Sequence, residues 1–499
     1  MQAPLFEELY VISDLHMGGT KGSPIFNQSA ELAALVQFLT QRTASGSIGL
    51  VIDGDFIDLL AEELPGYIAS PRDAENALQA ILSHADFSQV WTRLKGFVRV
   101  AHHILVVVLG NHDLELMYPN VQEAIRQYLA EDDEAARGRI VFATSGAGYC
   151  CDVGKRDGRR ASVLCVHGNE FDSWNAVSPE AMTRIVRAAT LGKESQLLGE
   201  PPNPGTQMVK DVMNAIKRAW PFVDLLKPEM DGVFSILLAL EPEQASALGR
   251  VLELLCKAAT TGEVRVKRVL GGPSVAVPTG EQRGLDWKRG RKFEEFLGQS
   301  STQSQLLAEA WNQAAQEGIS PAQLAGEEDQ VLGAGRVVWN LLTYSVNRIK
   351  SGPDEALRAA LADWGGGKET WDLKGACDVF DHLADIGPNA SVVIAGHTHL
   401  RRQKRFNGGA LYLNTGTWAR LLRLDRGVLD SQTSFASLYQ AIKAGSMGAI
   451  DSLPSDVLLR QPTVAVVRLN GDAQVQAALC EFQDHEFSLV ANASWENVG

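Results

Sequence analysis

The sequence predicts an α/β protein in which helices pack against a sheet, and three observations carry that prediction. Its first part alternates short apolar, β-branched runs with longer stretches of helical spacing. Nearly every strand-like run closes on the same residue types, Gly, Asp, Asn and His. Strand-like segments return near residue 390, after roughly 200 residues of helical patterning, more than one ordinary connection holds.

In chain order, "LYVISDLH" reads as a first inner strand and "SAELAALVQFLTQRT" (29–43) as an amphipathic helix. "IGLVIDGDFIDLL" is a second buried strand, "FSQVWTRLKGFVRVA" a helix and "HILVVVLGNHD" a third strand. "RIVFATSGAGYCCDVG" and "RRASVLCVHGNEFD" pair around the turn "KRDGRR". Between 176 and 375 come "TQMVKDVMNAIKRAW", "EQASALGRVLELLCKAAT", "TQSQLLAEAWNQAAQ" and "GRVVWNLLTYSVNRIK", all with helical spacing and separated by Pro/Gly-rich loops. "SVVIAG", "GALYLNTGTWARLLRL" and "PTVAVVRLNG" then complete the sheet, and "ALCEFQDHEFSLVA" forms a last strand pair with His485 in a structural role.

Composition narrows the function classes. The 499 residues are 45% hydrophobic and 21% charged, values of an ordinary globular protein. A net charge of −14 argues against a general polyanion binder, whose affinity comes from Lys and Arg on phosphates. Six cysteines without CxxC spacing predict reduced thiols, with Cys150 and Cys151 filling a strand. "MQAPLFEELYVISDLH" has no basic leader region and Glu7 and Glu8 interrupt it, so a cytoplasmic location is expected. Trp220, Trp287, Trp311 and Trp339 read as packing anchors rather than base-stacking platforms.

The strand ends carry the chemistry. "VISDLH" ends in Asp14 and His16, "VIDGDFID" in Asp55 and Asp58, "VVVLGNHD" in Asn111, His112 and Asp113. "VLCVHGNE" ends in His167 and "SVVIAGHTH" in His397 and His399, so five of the ten histidines occupy such ends. Residues two apart on an extended chain point one way, which predicts that His397 and His399 share a face. In α/β sheets ligands gather beyond the carboxyl ends of the strands.

The ordered set "DLH", "GDFID", "GNHD", "HG" and "GHTH" resembles the calcineurin-like metallophosphoesterase family over about 10–175 and 385–420. The resemblance implies a four-layer β-sandwich flanked by helices, here with a large α-helical cap inserted. Residues 1–175 would form the first part of the core, 176–375 the cap, and 376–499 the second part with a C-terminal extension. It implies two divalent metal ions, Mn foremost with Fe, Zn or Ni as alternatives, since mixed carboxylate and imidazole ligands suit such ions. Asp14, His16 and His399 would hold one, Asn111, His167 and His397 the other, and Asp55 would bridge them. His112 would be the general acid facing the scissile phosphate. Asp113 would either orient His112 or cap the next helix, and Asp58 would support ligands rather than act as one.

The implied activity is hydrolysis of a phosphodiester, phosphomonoester or pyrophosphate bond in a nucleotide-like small molecule, by hydroxide activated between two metals. The alternatives are a DNA/RNA nuclease of the same family and a non-catalytic scaffold whose cap binds a protein partner. Arg401, Arg402 and Arg420 are candidate substrate contacts, set against the reading of a charge-protected edge strand. The run "LDWKRGRKF" is a second, weaker basic patch. "HGNEFDSWN" and "YLNTGTW" resemble the branch containing UDP-2,3-diacylglucosamine pyrophosphatases. Those enzymes are shorter and carry Arg where His112 stands, so their substrate is not carried over.

Overall fold

The structure, a computed structural model, describes residues 3–20, 24–42, 46–172, 175–193, 203–226, 371–386 and 388–499, with single positions at 236, 354, 355, 357, 358 and 361. Its first strands are β1 (Leu5–Phe6), β2 (Glu8–Ile12), β3 (Met17–Gly18), β4 (Ile48–Asp53), β5 (Ile57–Asp58) and β6 (His103–Val108). Next come β7 (Ile140–Ala143), β8 (Tyr149–Gly154) and β9 (Arg160–Cys165). After residue 390 follow β10 (Val392–Ala395), β11 (Arg401–Arg405), β12 (Leu411–Thr415), β13 (Leu421–Leu422) and β14 (Leu458–Leu459). The chain ends with β15 (Thr463–Leu469), β16 (Val475–Gln483), β17 (Glu486–Leu489) and β18 (Glu496–Asn497).

These strands build two main sheets. One runs β17-β16-β15-β2-β4-β6-β7, with β18 pairing β16, and the other β1-β8-β9-β10-β12-β11. In the first, β2, β4, β6 and β7 are parallel, and β15 joins antiparallel to β2. Strands from beyond residue 390 are thus inner members of both sheets, as the late strand-like segments predict.

Burial on both faces explains the near-continuous apolar runs. Every residue of β4 is buried. Ile48, Leu50 and Ile52 face helices α1 (Ser29–Gln41), α2 (Pro71–Ser83), α3 (Ser88–Arg99) and α4 (Pro119–Ala130), whose Leu35, Leu78, Trp91 and Ile125 share that core. Val51 alternates to the opposite side. There Val11, Val51 and Val106 meet Val153, Val163, Ile394, Leu413 and Val467 in a core common to both sheets. The outer side of the second sheet is covered by helix Asp378–Ile386, whose Val379 and Leu383 pack with Val393 and Tyr412.

Two helical stretches are broken where the sequence suggested continuity. "LELMYPNVQEAIRQYLA" divides into a 3-10 turn, Leu114–Met117, and α4. Tyr118 is extended because it precedes Pro119, which then starts α4 at its first position. "TQMVKDVMNAIKRAW" lies across α7 (Pro204–Met208), a π-turn (Val209–Met213) and α8 (Asn214–Ala219). Trp220 is buried against Phe222, the packing role expected of it. The other three helical stretches of 176–375, the basic run at 287–292, Cys256, Trp287, Trp311 and Trp339 lie outside the described residues. Cys150 and Cys151 stand in β8, and the described cysteines form no disulfide. No helix among the described residues is long and apolar enough to cross a membrane.

Candidate metal centre

Loops after β2, β4, β6, β9 and β10 meet at one end of the sheets. The expected alternation of an extended chain does not set their side chains. Asp14, His16, Asp55, His397 and His399 all have positive φ, between 49° and 66°. Non-glycine residues seldom adopt this left-handed region, and such strain gathers at functional sites. Each chain turns sharply the moment its strand ends, and His397 and His399 diverge into two separate clusters.

In the first cluster, His16 Nε2 lies 3.0 Å from His399 Nε2, and His399 Nε2 lies 3.2 Å from Asp14 Oδ1. His16 Nε2 is 3.6 Å from Asp55 Oδ2 and 4.0 Å from Asp14 Oδ1. Ligand atoms of Asp14, His16, Asp55 and His399 all lie within 4.8 Å of one another, a group able to hold a metal ion. In the second, His397 Nδ1 lies 3.1 Å from Asn111 Oδ1, and His167 Nε2 lies 3.2 Å from Asp55 Oδ2. A cation bound at about 2.1 Å sets its ligands about 3.0–3.4 Å apart along octahedral or tetrahedral edges, so most of these spacings are of coordination size. His167 Nε2 is also buried with no hydrogen-bond partner among the described residues, as a nitrogen reserved for a metal would be. The donor set fits divalent cations, and Asp55 Oδ2 faces both clusters.

Surrounding groups fix these donors. His167 Nδ1 donates to the Asp53 carbonyl at 2.8 Å, which leaves Nε2 as the lone-pair nitrogen. His397 Nε2 lies 2.8 Å from Asp172 Oδ2. The Asp14 carboxylate accepts the His397 backbone N–H, and Thr417 Oγ1 donates to the Asp14 carbonyl at 2.7 Å. Gly110 is required by closeness, because a Cβ there would fall 2.1 Å from Asp55 Oδ1.

His112 is oriented by Asp58, not by Asp113. Its Nδ1 lies 3.1 Å from Asp58 Oδ1, and its backbone N–H donates to Asp55 Oδ1 at 2.9 Å. Asp58 Oδ2 also approaches His16 Nδ1 at 3.5 Å, and His16, Asp58 and His112 form a second group close enough to hold a metal ion. Asp113 takes neither of its expected roles. Its carboxylate accepts the backbone N–H groups of Phe56 and Gly110, each at 2.8 Å, and makes no capping bond to the following turn. Asp113 therefore clamps the "GDF" loop to the "GNHD" loop.

Burial works against charge throughout the site, and neighbours decide the outcome. It opposes ionisation of Asp14, but His399 outweighs it and holds Asp14 down to about 2. It disfavours protonated His112, yet Asp58 and Asp55 push that imidazole up to about 9. Asp113, where burial and then the Asp55 charge act together, rises to about 7. Asp53 is raised well above the usual carboxylate range by burial, and its carboxyl oxygens have no hydrogen-bond partner among the described residues.

The candidate substrate arginines are engaged elsewhere. Arg401 pairs with Glu481. Arg402 is buried and donates to the Ala376 carbonyl at 3.1 Å through Nη2. Arg420 donates to the Pro24 carbonyl at 3.2 Å and lies 3.5 Å from Asp451. None of these partners belongs to the metal clusters. His485 sits in the turn between β16 and β17, its ring edge-on to Phe482, as its structural reading expects.

Two contributors escaped the sequence reading. Asp172 follows His167 by five residues, and the acidic residues of "HGNEFD" were its signal. Lys217, in α8, shares a small cleft with His16 and Asp58, and nothing in its local pattern marks it. A larger cavity of about 770 Å³ lies between α6 (Pro179–Thr190) and the sheet edge, walled by Val108, Leu114, Met182 and Val186. His167 and Gly110 form part of its wall, whereas Asn111, His112 and His397 do not.

No curated protein and no solved structure matches the chain. Residues 8–213 match the model of the calcineurin-like phosphoesterase family, which implies a phosphoester hydrolase and agrees with Asp and His donors gathered as for a divalent metal.

Proposed function

We propose that the protein is a dinuclear metal-dependent phosphoester hydrolase acting on a nucleotide-like small molecule. Asp14, His16 and His399 would hold one cation and Asn111, His167 and His397 the other, with Asp55 shared between them. The observation that carries this reading is the position of Asp55 Oδ2, 3.6 Å from His16 Nε2 and 3.2 Å from His167 Nε2. One carboxylate oxygen facing two imidazoles that belong to different clusters is the geometry of a bridge.

Two divalent cations bound there supply Lewis-acid polarisation of the phosphoryl oxygens and a water acidic enough to attack near neutral pH. The chain's own residues do the rest. His112, kept protonated by Asp58, presents Nε2–H to the leaving oxygen and gives it a proton. Asp113 and the glycine at 110 keep the two loops at the separation that this transfer needs. The stretch 176–375 acts as a cap. The placement of α8 supports it: Asn214 donates to the Leu60 carbonyl at 3.2 Å, and Arg218 pairs with Glu63 at 2.6 Å.

The test is manganese-supplemented hydrolysis of bis(p-nitrophenyl) phosphate by wild type and Asp55→Asn. The variant is expected to lose bound metal by elemental analysis and at least about 100-fold in kcat/KM. Hydrolysis undiminished in Asp55→Asn would sink the assignment.

A further inference from the structure

A small cleft beside His16 of the first cluster is walled by His16, Asp58 and Glu63 from the core and by Lys217, Arg218 and Asp224 from the segment beyond α6. Its volume is about 30 Å³, enough for water and too small for a whole substrate. Arg218 is spoken for by Glu63. Lys217 differs. Its ammonium lies 2.6 Å from Asp224 Oδ2, on the same short segment, and its side chain is only 11% exposed. An ammonium has three donors, and one carboxylate occupies one of them. Lys217 shares the cleft with Asp58, whose Oδ1 lies 3.1 Å from His112 Nδ1. It stands on the side of the centre where His112 and Asp58 meet, which in the proposed reaction is the side of the departing oxygen.

We infer that Lys217 is a specificity residue that receives a second anionic group of the substrate, carried on its leaving-group side. The inference rests on the proposed hydrolase reading and narrows it. A half-buried cation beside the departing oxygen favours a leaving group that is itself charged, such as a phosphate or a carboxylate-bearing fragment. A neutral alcohol gains nothing from it. Asp224 occupies one donor of that ammonium and competes for it with the incoming anion. The chemistry stays balanced without Lys217: the P–O bond to the leaving group breaks, water oxygen bonds to phosphorus, His112 gives its proton to the leaving oxygen, and the proton released by the water returns to His112 through solvent.

The experiment is calorimetric titration of the full-length, manganese-loaded protein with two ligands that contain no phosphoester or anhydride bond, methylphosphonate and methylenediphosphonate. Wild type is expected to prefer the second by about tenfold or more, as charge-assisted hydrogen bonds would provide. Lys217→Gln should erase that preference, and Lys217→Arg should restore part of it. Asp224→Asn, which frees the ammonium, should tighten the diphosphonate several-fold, and this variant serves if Lys217→Gln folds poorly. A manganese content equal to wild type in each variant shows that the centre is intact. Equal affinity for the two ligands in wild type, binding of neither, a preference surviving Lys217→Gln, or no gain in Asp224→Asn would each overturn the inference. A preference that persists in a protein unable to hydrolyse any phosphoester would instead overturn the hydrolase reading and leave Lys217 as a binding residue.

Discussion

Single residues in this site work by holding others. Asp172 is not among the candidate donors, yet its carboxylate lies 2.8 Å from His397 Nε2 and fixes that ring. Asp172→Asn is expected to weaken the second cation site by about 10- to 100-fold, read by competitive metal titration, with the first site still filled. Gly110→Ala puts a methyl group 2.1 Å from Asp55 Oδ1. That collision should cost more than about 2 kcal/mol of stability, measured by urea unfolding, because the obstacle is a buried carboxylate with no room to move. The gathering of Asp14, His16, Asp55 and His399 was legible in sequence, since Asp and His at successive strand ends are a chemical pattern. Their supporters were not. Asp58 in place of Asp113 as the partner of His112 depends on how two loops lie against each other, and neither spacing nor residue type encodes that. The left-handed turns at Asp14, His16, Asp55, His397 and His399 are likewise invisible in a pattern of apolar and polar residues.

At the scale of elements, strands were the most readable part because the inner ones are apolar on both faces. β11 is the instructive exception. "RRQKR" is too charged to look like a buried strand, yet alternate residues serve opposite faces. Arg401, Gln403 and Arg405 turn toward Glu481 and Glu496, while Arg402 and Lys404 turn toward Ala376 and the Phe380 ring. Charge here joins the edge to its neighbours, and partners so distant in sequence cannot be read locally. A similar clasp ties β2 to the end of α1, where Arg42 meets Glu8 at 2.6 Å and Tyr10 donates to Glu8 at 2.7 Å. Burial raises Glu8, but the Arg42 and Tyr10 hydrogen bonds outweigh it and hold its carboxyl below the ordinary 4.5. Folding therefore favours the ionised form. The clasp stabilises fully above about pH 5 and is lost as pH falls through the lowered value. Arg42→Met should be less stable by about 1–2 kcal/mol near pH 7. The gap should close toward pH 3 in thermal melts across pH.

At the scale of the whole molecule, the family match over 8–213 covers less than the folded unit. β15 lies beside β2, and β10 lies between β9 and β12, so both sheets need strands from beyond residue 390. Residues 1–226 expressed alone are expected to be insoluble and to bind no manganese. Co-expressed with 371–499 they should recover solubility and bound metal, as judged by co-purification and elemental analysis. Failure of the pair would mean that the intervening stretch is part of the core rather than a cap. The return of the sheet was legible because "SVVIAG" and "PTVAVVRLNG" are unmistakable strands. Which neighbours they choose was not, since pairing across hundreds of residues leaves no local trace.

That late completion also has a consequence in time. His397 leaves the ribosome about 230 residues after His167, a delay of about 10–50 s at ordinary synthesis rates. During that interval Asp14, His16, Asp55 and His167 are without His397 and His399, and β2 and β9 each lack one of their two neighbours. The strand edges that β10 and β15 later cover stay bare until then, and in the proposed function metal capture waits for His397 and His399.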